Sequence, residues 1–145
     1  MQLTLYTDYS LRTLIYLHIS ENKLSTISEI ADYYGISKNH LVKVVHNLSQ
    51  EGFIHSVRGK GGGLRLAIPG EKIIVGDVVR KTEPNFHIVE CFDNEKVNEC
   101  IVPPVCRLKT ILERATEEFL LVLDQFTIDD MLTGKPEWSP IKLVK

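Results

Sequence analysis

The sequence has few cysteines and no long apolar run, and both shortages narrow the classes of protein to which it can belong. Three cysteines occur in 145 residues, and the start of the chain has no basic stretch followed by an apolar one, as a secretory signal would have. An odd cysteine count without a signal argues against a disulfide framework. No stretch approaches the roughly 20 apolar residues of a bilayer span. We therefore expect a cytoplasmic protein with no membrane partner.

The chain also lacks a strong net charge, but its basic and acidic residues are distributed unevenly between its two halves. The formal net charge is −2, and 43% of the residues are hydrophobic, which is typical of a globular domain with a real core. Residues 1–70 contain seven Lys and Arg against five Asp and Glu, whereas residues 71–145 contain ten against fourteen. Between residues 38 and 65 there are five basic side chains and one acidic one. This segment indicates an anion-binding face, with a merely solvated basic face as the alternative.

Apolar periodicity predicts three helices in the first third of the chain. Residues 7–19 place Leu11, Leu14 and Ile15 on one face of a first helix. Thr26 and Glu29 have the spacing of a capping box for a second helix over residues 27–34. Gly35 ends that helix, and Ser37 is expected to cap a third one that runs to about residue 50. Two short helices joined by a four-residue turn form a helix-turn-helix.

A hairpin is predicted directly after these helices. Two β-favouring runs, residues 53–57 and 64–68, flank the sequence GKGGG at residues 59–63. Such a glycine-rich connection is typical of a tight turn between antiparallel strands, here with a basic tip. A helix-turn-helix followed by a hairpin is a winged helix.

The second half of the chain indicates two more helices around an irregular loop. A short helix is expected over residues 74–81, and a long one from the Pro103-Pro104 pair to about residue 126. The long helix would span about 35 Å and carries an apolar stripe that one winged helix cannot cover, so a homodimer is expected. The predicted fold is mainly α with a small β wing: a winged helix-turn-helix plus a long dimerisation helix. The predicted units are a winged-helix domain (1–83), a loop that contains the cysteines (84–106), and a dimerisation helix with its tail (107–145).

The basic segment supplies the side chains of a candidate DNA interface. A recognition helix in the major groove needs donors for base edges and phosphates, and a glycine-rich wing lets the backbone approach the duplex. A winged helix used for protein contacts is the alternative interpretation. The candidate DNA-binding residues are Ser37, Lys38, Asn39, His40, Lys43, Arg58, Lys60 and Arg65.

The three cysteines form a second candidate site. Cys91, Cys100 and Cys106 lie within sixteen residues, in a spacing that matches neither zinc ribbons nor bacterial ferredoxins. They occupy a polar loop, and Cys106 is expected in the first turn of the long helix, where the helix dipole favours a thiolate. Three thiolates on one loop can hold one soft metal centre, although thiols without any metal remain an alternative. A cubane iron–sulfur cluster would need a further ligand from elsewhere in the protein.

Several segments resemble a family of dimeric winged-helix transcription regulators that hold an iron–sulfur cluster. The segments TDYSLRTLIYL, SEIADYYGISKNHLVKVVHNL and VRGKGGGLRLA carry this resemblance. VRKTEPNFHIVECF, PPVCRLK and LDQFTIDDML look most like the nitric-oxide-sensing repressors within the family. The resemblance covers nearly the whole chain. It implies a cluster held in each subunit by Cys91, Cys100 and Cys106, with Asp8 of the partner subunit as the non-cysteine ligand.

The resemblance also bears on the type of cluster. Cluster-assembly regulators of the family have a histidine ligand three residues after the last cysteine, where this chain has Lys109. This difference favours a four-iron (4Fe–4S) cluster, with a two-iron (2Fe–2S) cluster as the alternative. Asp8 also lies four residues before Arg12, so the two can pair on the helix surface. Arg12 is therefore a candidate switch residue, which would pair with Asp8 when the cluster is destroyed.

The leading expectation is a repressor that releases double-stranded operator DNA when nitric oxide destroys its cluster. A regulator of the same fold that senses iron–sulfur status or oxidation through a two-iron cluster is the second hypothesis. A zinc-stabilised DNA-binding module is a third. A redox enzyme or electron carrier is disfavoured because the sequence has no cofactor fingerprint and no second redox motif.

Overall fold

A computed structural model of the chain describes residues 2–21, 23–93, 100 and 106–132. In these ranges no helix is long and apolar enough to cross a bilayer. The division of the chain into three units stays a prediction, and the C-terminal tail from residue 133 onward lies outside the described residues.

Helix α1 (Leu5–Ile19) begins two residues earlier than predicted, because Thr4 caps it. The Thr4 hydroxyl accepts a hydrogen bond from the backbone N–H of Thr7 at 3.3 Å. Thr7, Ser10 and Thr13 are fully buried. The Ser10 and Thr13 hydroxyls donate to carbonyl oxygens one turn earlier, at 2.8 and 2.7 Å. A hydroxyl that donates to a carbonyl of its own helix can be buried without the free-energy cost of an unpaired polar group. Part of the inner face of α1 therefore consists of Ser and Thr side chains.

Helices α2 (Ile27–Tyr34) and α3 (Lys38–Gln50) confirm the helix-turn-helix. Thr26 and Glu29 form the predicted capping box, and Gly35 ends α2 in the left-handed conformation with φ of 65°. One detail of the prediction is wrong. Ser37 stands at the N-cap position of α3, but its side chain makes no capping hydrogen bond. The first turn of α3 is closed by the Ser37 carbonyl instead, which accepts from the backbone N–H groups of His40 and Leu41.

The wing is an antiparallel pair of short strands, β1 (Ile54–Val57) and β2 (Gly63–Leu66). Both strands are shorter than the predicted runs. Ser25 and Leu64 exchange two backbone hydrogen bonds of 3.0 and 2.8 Å, so the wing is attached to the loop that precedes α2. This attachment keeps the base of the wing beside the helix-turn-helix.

Two further helices follow, α4 (Val75–Thr82) and α5 (Arg107–Leu123). Helix α4 is shifted by one residue from its predicted range. Helix α5 has 17 residues and starts later than predicted, and the Pro103-Pro104 pair lies outside the described residues. A short 3₁₀ turn, Asp129–Met131, follows α5.

The chain after α5 returns to the start of α4. The backbone N–H of Val75 donates to Phe126 at 2.9 Å, and that of Ile128 donates to Ile73 at 2.9 Å. Arg80 of α4 and Asp124 form two hydrogen bonds of 2.6 Å each. Ile128 is fully buried in the same core as the helix-turn-helix. The fully buried large side chains of that core are Leu14, Ile30, Leu41, Val44, Leu48, Ile73, Val78, Val79 and Ile128.

Candidate nucleic-acid interface and cysteine site

The predicted recognition surface is the outer face of α3. Its inner face is apolar, because Leu41, Val44, Val45 and Leu48 are buried in the core. That packing forces the polar side chains at the front of the helix outward. No acidic residue occurs between residues 37 and 50, so the electrostatic character of this face is set by basic and uncharged donors. Val42 and His46 of this helix are exposed, and so are all five residues predicted here to bind DNA: Ser37, Lys38, Asn39, His40 and Lys43.

The wing packs against α3 at its first strand and leaves its predicted basic residues exposed. Helix α3 packs against β1, and Arg58, Lys60 and Arg65 are all exposed. The tip turns through Gly59 and Gly61, whose φ values are 104° and 79°, a conformation that side chains other than glycine rarely adopt. The structure therefore keeps every predicted DNA-binding side chain accessible on α3 or the wing.

Two tyrosines of α1 contact the recognition helix, and sequence analysis did not identify them. The Tyr6 hydroxyl donates to the backbone carbonyl of Lys43 at 3.3 Å, and burial raises the pKa of this phenol. The Tyr9 ring stacks on the His40 imidazole, with ring centroids 6.3 Å apart and planes inclined by 27°. The only signal in the sequence is a matching spacing: the two tyrosines are three residues apart on α1, and their partners His40 and Lys43 are three residues apart on α3.

Asp8 and Arg12 form the predicted pair on the surface of α1. Arg12 Nε lies 3.0 Å from Asp8 Oδ1, and Arg12 Nη2 lies 2.9 Å from Asp8 Oδ2. The Arg12 guanidinium also lies over the Tyr34 ring at 5.8 Å from its centroid. Burial, followed by the neighbouring Tyr33, raises the pKa of Tyr34 to about 12. Tyr34 is therefore a neutral aromatic partner for Arg12, a cation–π contact that the sequence did not predict.

The three cysteines are thiols and form no disulfide with one another. Cys91 is half-buried in a 3₁₀ turn, Glu90–Phe92, and Cys100 is exposed. Cys106 is half-buried at the N-cap of α5, one residue before the first turn in which it was predicted, because the helix starts at residue 107. Among the residues that the structure describes, no three His, Cys, Asp or Glu side chains are grouped closely enough to hold a metal ion. The structure thus brings Asp8 to Arg12 but does not gather the cysteines with Asp8.

The chemistry of this donor set nevertheless suits an iron–sulfur cluster. Thiolates are the ligands that such clusters prefer, and a carboxylate can complete the site. The Cys106 side chain makes no capping hydrogen bond, so it can serve as a ligand at the end of the helix where the dipole favours negative charge.

Comparison with known proteins decides the class of regulator. The family model of Rrf2, described as an iron-dependent transcriptional regulator, matches residues 3–134. The chain belongs to the Rrf2 family. It is 51% identical over 138 residues to the HTH-type transcriptional regulator NsrR of Bacillus subtilis strain 168, covering 94% of each chain.

Solved structures agree with this Rrf2 assignment. The oxidized form of Staphylococcus aureus CymR superposes with a TM-score of 0.74 at 26% identity, covering 93% of this chain and 98% of that one. IscR of T. potens gives a TM-score of 0.68 at 25% identity, covering 91% of this chain and 86% of that one. The predicted winged-helix fold and the predicted family resemblance are confirmed. As a member of the Rrf2 family, the chain is a DNA-binding transcriptional regulator and not an enzyme.

Proposed function

We propose that the chain is a nitric-oxide-sensitive repressor that binds double-stranded operator DNA as a homodimer. The observation that carries the proposal is the exposed, acid-free outer face of α3 beside a basic wing, in a chain 51% identical to an NsrR regulator. That relative is named as a transcriptional regulator, and the match covers 94% of each chain. The similarity therefore supports the same role for the whole of this chain.

The DNA interface follows from the placement of the donors. Helix α3 lies in the major groove, where Asn39 and His40 can donate to base edges. The basic residues bind phosphates and set the register of the protein on the duplex. The glycine turn at its tip lets the wing approach the neighbouring sugar–phosphate backbone of the DNA. The phosphate-binding group is Lys38, Lys43, Arg58, Lys60 and Arg65, with Ser37 at the start of the helix.

The homodimer forms through α5. Leu108, Ile111 and Val122 are 61%, 58% and 51% exposed. Their spacings of three and eleven residues place them on one face of the helix. An exposed apolar face costs free energy in water, and a second copy of the same face removes this cost by an isologous contact.

The cluster belongs at the cysteine site. Cys91, Cys100 and Cys106 hold it in one subunit, and Asp8 of the partner subunit completes the ligand set. When bound, a four-iron cluster supplies iron atoms to which nitric oxide binds. Asp8 has two alternative partners in this proposal: a metal site on the other subunit, or Arg12 on its own helix at 2.9 to 3.0 Å. Each partner holds α1 differently, and α1 contacts α3 through Tyr6 and Tyr9.

The test is an operator-binding titration on full-length protein isolated without oxygen. We expect iron and sulfide in the protein, operator binding at low nitric oxide, and release of DNA in proportion to the decrease in the absorbance of the cluster. Protein that contains no iron or sulfide yet binds its operator under full control would overturn the proposal. A two-iron spectrum would favour the sensor of iron–sulfur status, and zinc in the metal analysis would favour a structural module.

A further inference from the structure

Helix α1 has two contacts with α3 that lie within one turn of Asp8. Tyr6 and Tyr9 are three residues apart on α1, and they contact Lys43 and His40, which are three residues apart on α3. Residues with this spacing share one face of a helix. The two contacts therefore form a pair of adjacent links between the helix that carries Asp8 and the front of the recognition helix.

The two links act on different parts of α3. Tyr6 donates to a backbone carbonyl, so its contact follows the position of the helix and is independent of the Lys43 side chain. Tyr9 stacks on an exposed imidazole. An aromatic ring has only two side-chain torsions, and Tyr9 is half-buried, so its ring restricts the rotamers that His40 can adopt.

We propose that Tyr9 is a positioning residue that orients His40 and transmits displacement of α1 at Asp8 to the recognition helix, with Tyr6 as the second link. This inference rests on the proposed function, in which Asp8 changes partner. A helix moves largely as a rigid element between packed arrangements. Because Tyr9 adjoins Asp8 in sequence, a shift of α1 that changes the partner of Asp8 also moves the ring that faces His40.

The first test needs neither DNA nor a cluster. In full-length cluster-free protein, the imidazole proton resonances of His40 are assigned by their disappearance in His40→Gln. We expect Tyr9→Leu to remove the ring-current shift of these resonances, and Tyr9→Phe to retain it because the ring remains. Tyr33→Leu is the matched control, since Tyr33 packs on Tyr16 and Tyr34 of α1 and α2 and should leave the His40 resonances unchanged.

The second test measures transmission itself. Asp8→Asn weakens the pair with Arg12, and we expect it to shift the His40 resonances in the parent protein and to shift them less in the Tyr9→Leu background, where Tyr6 is the remaining link. Operator affinity should be non-additive in the same way, with the double variant differing at least about threefold from the product of the single effects. Equal Asp8→Asn shifts with and without the Tyr9 ring would overturn the inference.

A further variant keeps the test decisive if Tyr9→Leu does not fold. Tyr6→Phe deletes one hydroxyl, and we expect it to reduce the shift that Asp8→Asn produces at the Val44 amide, next to the carbonyl that Tyr6 contacts. An undiminished shift in a folded Tyr6→Phe protein counts against the second link. Because these spectra involve no iron, a protein that holds no cluster would refute the proposed function alone, whereas uncoupled tyrosines would refute only this inference.

Discussion

At the level of single residues, the Asp8–Arg12 pair is weak enough to be exchanged. The two side chains are 38% and 45% exposed, and exposed pairs at this spacing stabilise a helix by about 0.3 to 0.5 kcal/mol. A metal–ligand bond easily exceeds such a contact. The pair is therefore suited to a carboxylate that must leave its partner and return to it, and less suited to holding the fold together.

Asp8→Ala tests this role directly. We expect the free energy of unfolding of the cluster-free protein to change by less than about 0.5 kcal/mol, while the iron and sulfide content after anaerobic isolation falls or the response to nitric oxide weakens. Chemical denaturation and metal analysis measure the two effects. Asp32→Ala, an exposed acid on α2, is the control and should keep its cluster. A variant that holds its cluster and responds like the parent protein would show that the assignment of Asp8 is wrong.

At the level of elements, local chemistry decided which boundaries could be predicted. The ends of α2 were predicted correctly because its capping box and its left-handed glycine involve only residues near those ends. The start of α1 was predicted too late. Its cap is Thr4, and the inner face that follows buries the hydroxyl side chains of Thr7 and Ser10, so the apolar pattern does not mark the first turn. Helix α5 was predicted to run to about residue 126 but ends at Leu123, because its apolar pattern continues to Phe126, in the segment that also contains Ile128. Those residues serve the return of the chain to α4.

The α2 capping box predicts a specific dependence of stability on pH. Hydrogen bonds from the Thr26 backbone N–H and hydroxyl lower the pKa of Glu29 from its ordinary value of 4.5. A carboxyl with a depressed pKa in the folded state stabilises the protein above the unfolded value, and the contribution is lost as the pH falls through the folded value. We expect Glu29→Gln to destabilise the protein near pH 7 and to approach the parent protein at strongly acid pH.

Urea unfolding of both proteins across this range measures the effect. Thr26→Ala removes the donor hydroxyl, costs about 1 kcal/mol near neutral pH, and should make the Glu29→Gln substitution less harmful in its background. A loss of stability in Glu29→Gln that does not change with pH would contradict this account of the cap.

At the level of the whole molecule, the electrostatics of DNA binding follow from one basic surface on an acidic protein. Replacing Lys38, Lys43, Arg58 and Lys60 with Gln should flatten the dependence of operator affinity on salt, by about 0.9 in the log–log slope for each phosphate that the variant no longer neutralises. Lys72→Gln, in the 3₁₀ turn Gly70–Lys72, is the control for a surface lysine outside α3 and the wing. An unchanged slope would place the DNA footprint elsewhere on the protein.

The proposed dimer makes a separate prediction. Ile111→Glu puts a charge in the centre of the apolar face of α5, and the cost of burying it should shift the protein from dimer to monomer in analytical ultracentrifugation. Ile68→Glu, at an exposed apolar position after the wing, should leave the mass unchanged. A parent protein that is monomeric at micromolar concentration, or a dimeric Ile111→Glu variant, would refute the interface.

The sequence alone determined the features that depend on near neighbours. The α2 capping box, the glycine turns, the amphipathic pattern of α3 and the basic residues of its outer face are all set by side chains a few positions apart, because hydrogen bonds and periodicity within one element act at short range. The Asp8–Arg12 pair is of the same kind, one helical turn apart.

Only the tertiary structure decided which elements meet. The Tyr6 contact joins residues 37 positions apart, the His18–Asp129 hydrogen bond joins residues 111 positions apart, and Ile128 enters the core from the segment after α5. Such contacts arise because buried faces must pack together at high density. Which residue packs against a given face depends on the arrangement of all the elements of the chain. That packing connects α1 to the recognition helix, and the matching spacing of the tyrosines and their partners could not by itself assign the contact.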